Sequence, residues 1–219
     1  MNLASIIEHT NLSPVLTSRD IDVLVNEAKQ HHFFGVCVPP FWVKRAQREI
    51  GNEKIALVTV AGFPLGYNLT ETKLEEITRA IDHGADEIDV VWNVSAFKSG
   101  LPWTKIEIAK CAQLAHDQHK LLKVIIETAY LSDAEIVEAC KICVDAGIDF
   151  MKTSTGFAPG GAKVEHIALI KSVVPPAVGI KASGGIKTYD QALAMVNAGA
   201  SRIGTSSGIA IVNQAKPQL

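Results

Sequence analysis

Cysteine is scarce in this 219-residue chain: Cys37, Cys111, Cys140 and Cys143 are all there are. Four thiols do not make a disulfide scaffold, and a domain of this size needs no staples. Cys140 and Cys143 have the C-x-x-C spacing of a redox motif or half a zinc site, but no second pair accompanies them. They instead continue the apolar stripe Ile136, Ala139, Cys140, Cys143, Val144 of a helical segment, where small buried side chains belong. A block of one charge is also missing. Lys and Arg total 21 against 23 Asp and Glu, interspersed, for a formal net charge of -2. Nothing basic enough to neutralise a nucleic-acid backbone is present, so no nucleic-acid partner is expected.

The longest apolar stretch, Ile55 to Phe63, contains Thr59 and Gly62 and falls far short of the roughly 20 residues of a membrane helix. The first residues, with Glu8 and His9 arriving early, lack a signal-peptide pattern. No membrane partner and a cytoplasmic location are therefore expected. No low-complexity or Ser/Pro-rich tract marks a linker, which leaves one domain over 1–219. What the chain does have is 47% hydrophobic residues against 20% charged, enough to fill and cover one core and to exclude disorder for most of its length.

Short apolar runs alternate with amphipathic helical stretches, the pattern that builds parallel sheets. The runs are Phe34 to Pro39, Ile55 to Phe63, Glu87 to Asn93, Leu121 to Thr128, Asp149 to Thr155, Val178 to Gly184 and Ser201 to Ser207. A shorter candidate at Glu8 to Leu12 makes eight. Capping boxes are predicted at Thr104/Glu107, Ser132/Glu135 and Thr188/Gln191, and helix ends at Gly84, Gly147 and Gly199. Aligning those glycines exposes a repeat, GADEIDVV, GIDFMKTS and GASRIGTS, whose fifth residue after the glycine is Asp89, Lys152 or Gly204. Eight units of this size predict a (β/α)8 TIM barrel. The competing doubly wound sheet carries a G-x-G-x-x-G turn after its first strand, and this sequence has none there.

Functional groups of a barrel sit at the C-terminal ends of its strands. Three lysines stand in otherwise apolar strands: Lys123, Lys152 and Lys181. Strand alternation turns Lys152 and Lys181 inward with Met151, Thr153, Ile180 and Ala182 facing the helices. The same rule turns Asp89 inward and groups Lys123, Ile125 and Glu127 inside. A buried ion-pair network that fills the barrel accounts for such an interior without chemistry. Lys152 and Lys181, however, lie one strand-helix unit apart, which sets two ammonium groups side by side and drives one to lose its proton. A neutral lysine in an apolar pocket attacks carbonyl carbon. Lowering its pKa by about 3 units asks for roughly 4 kcal/mol, within reach of burial and a cationic neighbour together. The implied chemistry is a Schiff base, the electron sink of an aldolase that needs no metal.

Two loops add a phosphate signal: SGGI (Ser183 to Ile186) and GTSSG (Gly204 to Gly208) follow the seventh and eighth strands, the usual phosphate site of such barrels. His116 and His119 form H-x-x-H beside Asp117 and are expected to be solvated, with no partner at metal-site spacing. His31 and His32 end a helix, and Trp42, Trp92 and Trp103 are expected to fill gaps between helices and barrel.

Eight ordered motifs carry a resemblance: HTNLSP (His9 to Pro14), GVCVPP, VAGFPLG, EIDVVWN, LLKVIIET, FMKTSTGF, GIKASGGI and RIGTSSG (Arg202 to Gly208). With these the chain resembles the deoxyribose-phosphate aldolase family of class I, Schiff-base (β/α)8 enzymes, nearly end to end. The resemblance implies reversible cleavage of 2-deoxy-D-ribose 5-phosphate to glyceraldehyde 3-phosphate and acetaldehyde, in deoxyribonucleotide catabolism, with no cofactor or metal. It makes Lys152 the Schiff-base lysine, Lys181 the lysine that perturbs it, and Asp89 the carboxylate that shuttles protons with Lys181 and a water. Ser183, Gly184, Gly185, Gly204, Ser206 and Ser207 fall on its phosphate loops, and Thr10, Cys37 and Lys123 on its substrate cavity. A homo-oligomer, dimer or tetramer, is compatible with it. Two positions depart from the family: Glu8 stands where many relatives have aspartate, shifting any contact made there, and the chain ends Lys-Pro-Gln-Leu where some relatives have a tyrosine that assists proton transfer. A transaldolase-like Schiff-base barrel and a sugar-phosphate sensor are the rival readings. The first would not share FMKTSTG and KASGG, and the second has no use for Asp89, Lys152 and Lys181 together.

Overall fold

The computed structural model describes residues 2–214, so the C-terminal Lys-Pro-Gln-Leu lies outside the described residues. Each apolar run forms a strand: β1 Ile7–Thr10, β2 Gly35–Val38, β3 Ala56–Ala61, β4 Glu87–Val91, β5 Leu121–Ile125, β6 Phe150–Lys152, β7 Gly179–Ser183 and β8 Arg202–Thr205. Between and after them run α1 Ser18–His31, α2 Val43–Ile50, α3 Thr70–Asp82, α4 Val94–Lys98, α5 Trp103–Asp117, α6 Asp133–Asp145, α7 Val164–Val173, α8 Tyr189–Asn197 and α9 Gly208–Asn213. Neighbouring strands pair in parallel in sequence order, and β1 closes the ring on β8 through Ile7 with Ile203 and His9 with Thr205. The fold is a (β/α)8 TIM barrel.

Period-2 alternation explains how one strand set serves two surroundings. Ile88, Val90, Leu122, Val124, Met151, Ile180, Ala182 and Ile203 face outward and join the helices in one continuous apolar layer. Inside, the apolar cluster is small, Cys37, Val58 and Val60 with Leu12 and Phe63 against it. All four cysteines are free and buried; Cys140 and Cys143 pack in the outer layer.

Helix ends follow local chemistry closely. Gly84, Gly147 and Gly199 adopt φ of 101, 84 and 119° just past α3, α6 and α8, a region that an L side chain enters only with strain. The boxes at Ser132/Glu135 and Thr188/Gln191 form. That at Thr104/Glu107 does not: α5 starts earlier, at Trp103, and places both residues within its first turns. Glu107 is drawn instead to Lys73 of α3, which is wholly buried and also donates to the Val91 carbonyl, at 2.6 and 2.9 Å. A buried ammonium outcompetes a helix cap for that carboxylate. A further box stands where none was expected, with Asp20 accepting from the backbone and hydroxyl of Thr17 at the start of α1. Trp92 is buried and donates to the Ile126 carbonyl. Trp103, by contrast, is 46% exposed and donates to Thr70. His116 is solvated and pairs with Asp149.

Candidate active site

Lys152 and Lys181 stand directly opposite one another across β6 and β7, and both are buried. Asp89 of β4 lies between them: its Oδ2 accepts from Lys152 Nζ at 2.8 Å and from Lys181 Nζ at 2.6 Å. Its other oxygen accepts from Lys123 at 2.8 Å. Side-by-side ammonium groups would repel, so a shared carboxylate is what lets the two lysines occupy neighbouring strands.

Three more charged residues complete the interior: Glu8, noted in the sequence only as a departure from the family, and Glu87 and Arg202, which were not singled out there. Glu8 bonds Lys181 and, at 3.0 Å, Arg202. Glu87 lies 2.5 Å from Lys123 and 3.2 Å from Arg202. The signal was available: alternation in EIDVVWN puts Glu87 on the side of Asp89, and in SRIGTSS it puts Arg202 on the side of Gly204. Glu127, expected inside, is not part of this network. A φ of 51° at the end of β5 breaks the alternation there and turns its carboxylate to the hydroxyl and backbone N–H of Thr155.

These neighbours sort the lysines. Burial pushes the Lys152 ammonium below its ordinary value and Lys181 adds to the push, against the pull of Asp89. For Lys181, burial is outweighed by Asp89 and Glu8, which hold it above the ordinary lysine range. Lys123 is held up in the same way by Asp89 and Glu8. Asp89 stays well below the carboxylate range because its three lysines outweigh its burial.

Above this network opens a cavity of about 320 Å³. Lys152 lines it, the one interior charge of the network to do so among the described residues. Thr10 lines the β1 side, and Ser183, Gly184, Gly185, Gly204 and Ser206 line the side formed by the two glycine-serine loops. Thr205 ties those loops together by donating to the Ile186 carbonyl at 2.7 Å. Gly184, at φ 89°, packs where a side chain would come within 3.0 Å of Gly161. Ser207 stands just past the cavity wall, its N–H bonded to Thr205.

Cys37 and Lys123 are absent from that wall. Cys37 is buried beside the charges, its thiol pushed up to about 11 by burial, and Lys123 is enclosed beneath as a counter-ion of Asp89. Asn11, Phe157 and Lys187 line the cavity without having been anticipated; Lys187 directly follows SGGI, so a cation beside the phosphate loop was visible in the sequence.

Comparison with known proteins agrees with this architecture. A family model described as DeoC/LacD family aldolase matches residues 5–214. A Thermococcus gammatolerans protein named deoxyribose-phosphate aldolase is 48% identical over 99% of this chain and 97% of its own length. One of the same name from Brevibacillus brevis is 51% identical over 99% and 97%. Among solved structures, an aldolase titled QR15 superposes with a TM-score of 0.93 at 41% identity, covering 98% of this chain and 96% of that one. A deoxyribose phosphate aldolase from Aeropyrum pernix, described as having a unique tetrameric structure, gives 0.91 at 33% identity over 99% and 92%.

Proposed function

The chain belongs to the DeoC/LacD aldolase family, and on that premise we propose that it reversibly cleaves 2-deoxy-D-ribose 5-phosphate to D-glyceraldehyde 3-phosphate and acetaldehyde through a Schiff base on Lys152. The observation that carries the assignment to Lys152 is its position: it alone of the buried network reaches the cavity, and it is the lysine whose ammonium is disfavoured.

In the cleavage direction the neutral Lys152 amine attacks C1 of the open-chain sugar, and loss of water gives an iminium. The C2–C3 bond then breaks, its electrons moving to the iminium nitrogen to form an enamine. The C3 hydroxyl gives up its proton and becomes the aldehyde of glyceraldehyde 3-phosphate. Protonation of C2 and addition of water to the second iminium release acetaldehyde and regenerate the amine. Asp89 and Lys181, hydrogen-bonded to one another beside Lys152, would hold the water that takes and returns these protons. The loop pair of Ser183, Gly184 and Gly185 with Gly204, Ser206 and Ser207 would receive the phosphate, with Lys187 as its cation. Thr10 faces the same space from β1. Cys37 and Lys123 act from beneath, by packing and by charge.

The test is borohydride reduction with acetaldehyde, followed by peptide mass mapping. An ethyl group on Lys152 is expected; absence of any adduct overturns the assignment and favours a sugar-phosphate sensor, and an adduct found only elsewhere overturns it in favour of another Schiff-base lysine. Lys181→Leu removes a neighbouring cation, so the pKa of Lys152 should rise and turnover fall. Near-native activity would refute the pairing.

The coarser features point to a cytoplasmic enzyme that works as a dimer or tetramer. No helix among the described residues is long and apolar enough to cross a membrane, and the Aeropyrum pernix relative is described as tetrameric. Sedimentation equilibrium returning a monomer would remove the oligomer.

A further inference from the structure

Arg202 does not line the cavity and takes no part in the steps above, yet it is buried at 8% exposure in a built slot. Its guanidinium carbon lies 3.4 Å from the Phe34 ring centre and 5.2 Å from that of Phe150. Phe150 fits there because Gly179 has no side chain: a Cβ at that position would meet its ring at 2.2 Å. The occupant is the one cation of the interior that keeps its proton at any accessible pH.

The interior charges are Lys123, Lys152, Lys181 and Arg202 against Glu8, Glu87 and Asp89, one cation in excess. An uncompensated charge is what a low-dielectric interior tolerates least. Lys123 reaches all three carboxylates, Lys181 reaches Glu8 and Asp89, and Arg202 reaches Glu8 and Glu87. Lys152 has Asp89 alone and shares it.

We propose that Arg202 is a positioning residue for the reaction: by holding Glu8 and Glu87 with a permanent charge, it leaves Lys152 as the surplus cation of the barrel, so that the interior is balanced when Lys152 is the neutral amine. Glu87 acts in the opposite sense, as a negative charge that would otherwise favour the ammonium. Among the described residues the strands face this network with the side chains that follow, and Lys187 lines the same cavity as Lys152. β1 supplies Glu8, β2 the neutral thiol of Cys37, β3 only Val58 and Val60, β4 Glu87 and Asp89, β5 Lys123, β6 Lys152, β7 Lys181 and β8 Arg202. The inference rests on Lys152 as the Schiff-base lysine.

The test is the pH dependence of kcat/KM for cleavage, which reports the ionisation of the free enzyme, in wild type, Arg202→Met, Arg202→Lys and Glu87→Gln. Removing the arginine charge should move the alkaline-rising midpoint upward by about one pH unit or more. Removing the Glu87 charge should move it downward, and Arg202→Lys should return it toward wild type. A merely structural role lowers activity without this reversal of sign. Circular dichroism identifies the folded variants, and Glu87→Gln and Arg202→Lys carry the test should Arg202→Met not fold. Midpoints that stay put, or move the same way in Arg202→Met and Glu87→Gln, overturn the inference while the borohydride adduct still maps to Lys152. An adduct missing from Lys152 in the wild type overturns both the inference and the reading beneath it.

Discussion

Lys152 and Lys181 are chemically identical, and the fold separates them by what each touches. Lys181 is gripped by Glu8 and Asp89, Lys152 by a shared Asp89 alone. The extra methylene of Glu8 over an aspartate does not cost the contact: its carboxylate reaches both Lys181 and Arg202. Room for the Lys181 stem comes from Gly204, where a Cβ would stand 2.8 Å from Lys181 Cε and 3.2 Å from Ser183 Cβ. Gly204→Ala should therefore push the ammonium off Asp89 while leaving β8 paired. We expect kcat to fall by about a hundredfold with an unchanged circular dichroism spectrum, and a loss under threefold would show that the stem has slack.

At the scale of elements, the helices are held by two kinds of contact. Local ones, such as the boxes opening α6 and α8, were legible from four residues each, because the cap and its partner are neighbours in the chain. The tie between α3 and α5 was not. Lys73 and Glu107 are 34 residues apart, and the sequence pattern tied Glu107 to Thr104 instead; only packing makes them a buried pair joined by Thr70 and Trp103. Lys73→Met would leave the Glu107 carboxylate buried and unpaired, so we expect a loss of about 3 to 5 kcal/mol in urea unfolding. Replacing both residues with apolar ones of similar volume should recover most of it.

For the whole molecule, the barrel concentrates ionised groups that the chain's formal net charge of -2 conceals. Asp89 and Glu8 have folded pKa values below their ordinary ones, held there by lysines against the opposing effect of burial. Below the ordinary carboxylate range the unfolded chain thus binds more protons than the fold, and stability must fall as pH falls. These two carboxylates should make stability decline steadily below about pH 5, as thermal midpoints taken across acid pH would record. Asp89→Asn should flatten that decline; an unchanged slope would place the acid sensitivity elsewhere.

The sequence by itself determined the eight strands, the barrel they close, the motifs of the family and the three inward lysines. Each of these follows from short-range pattern: period-2 alternation, glycine at helix ends, and side chains that share a strand. Only the tertiary structure decided which lysine reaches the cavity, that Glu8, Glu87 and Arg202 complete the interior, that Glu127 leaves it at a strained turn, and that Cys37 and Lys123 lie beneath the cavity wall. Closing the ring brings β1 against β8 and sets residues almost two hundred positions apart in contact, Glu8 with Arg202. The energy of such a contact depends on burial and on every other charge enclosed with it, which no local pattern carries.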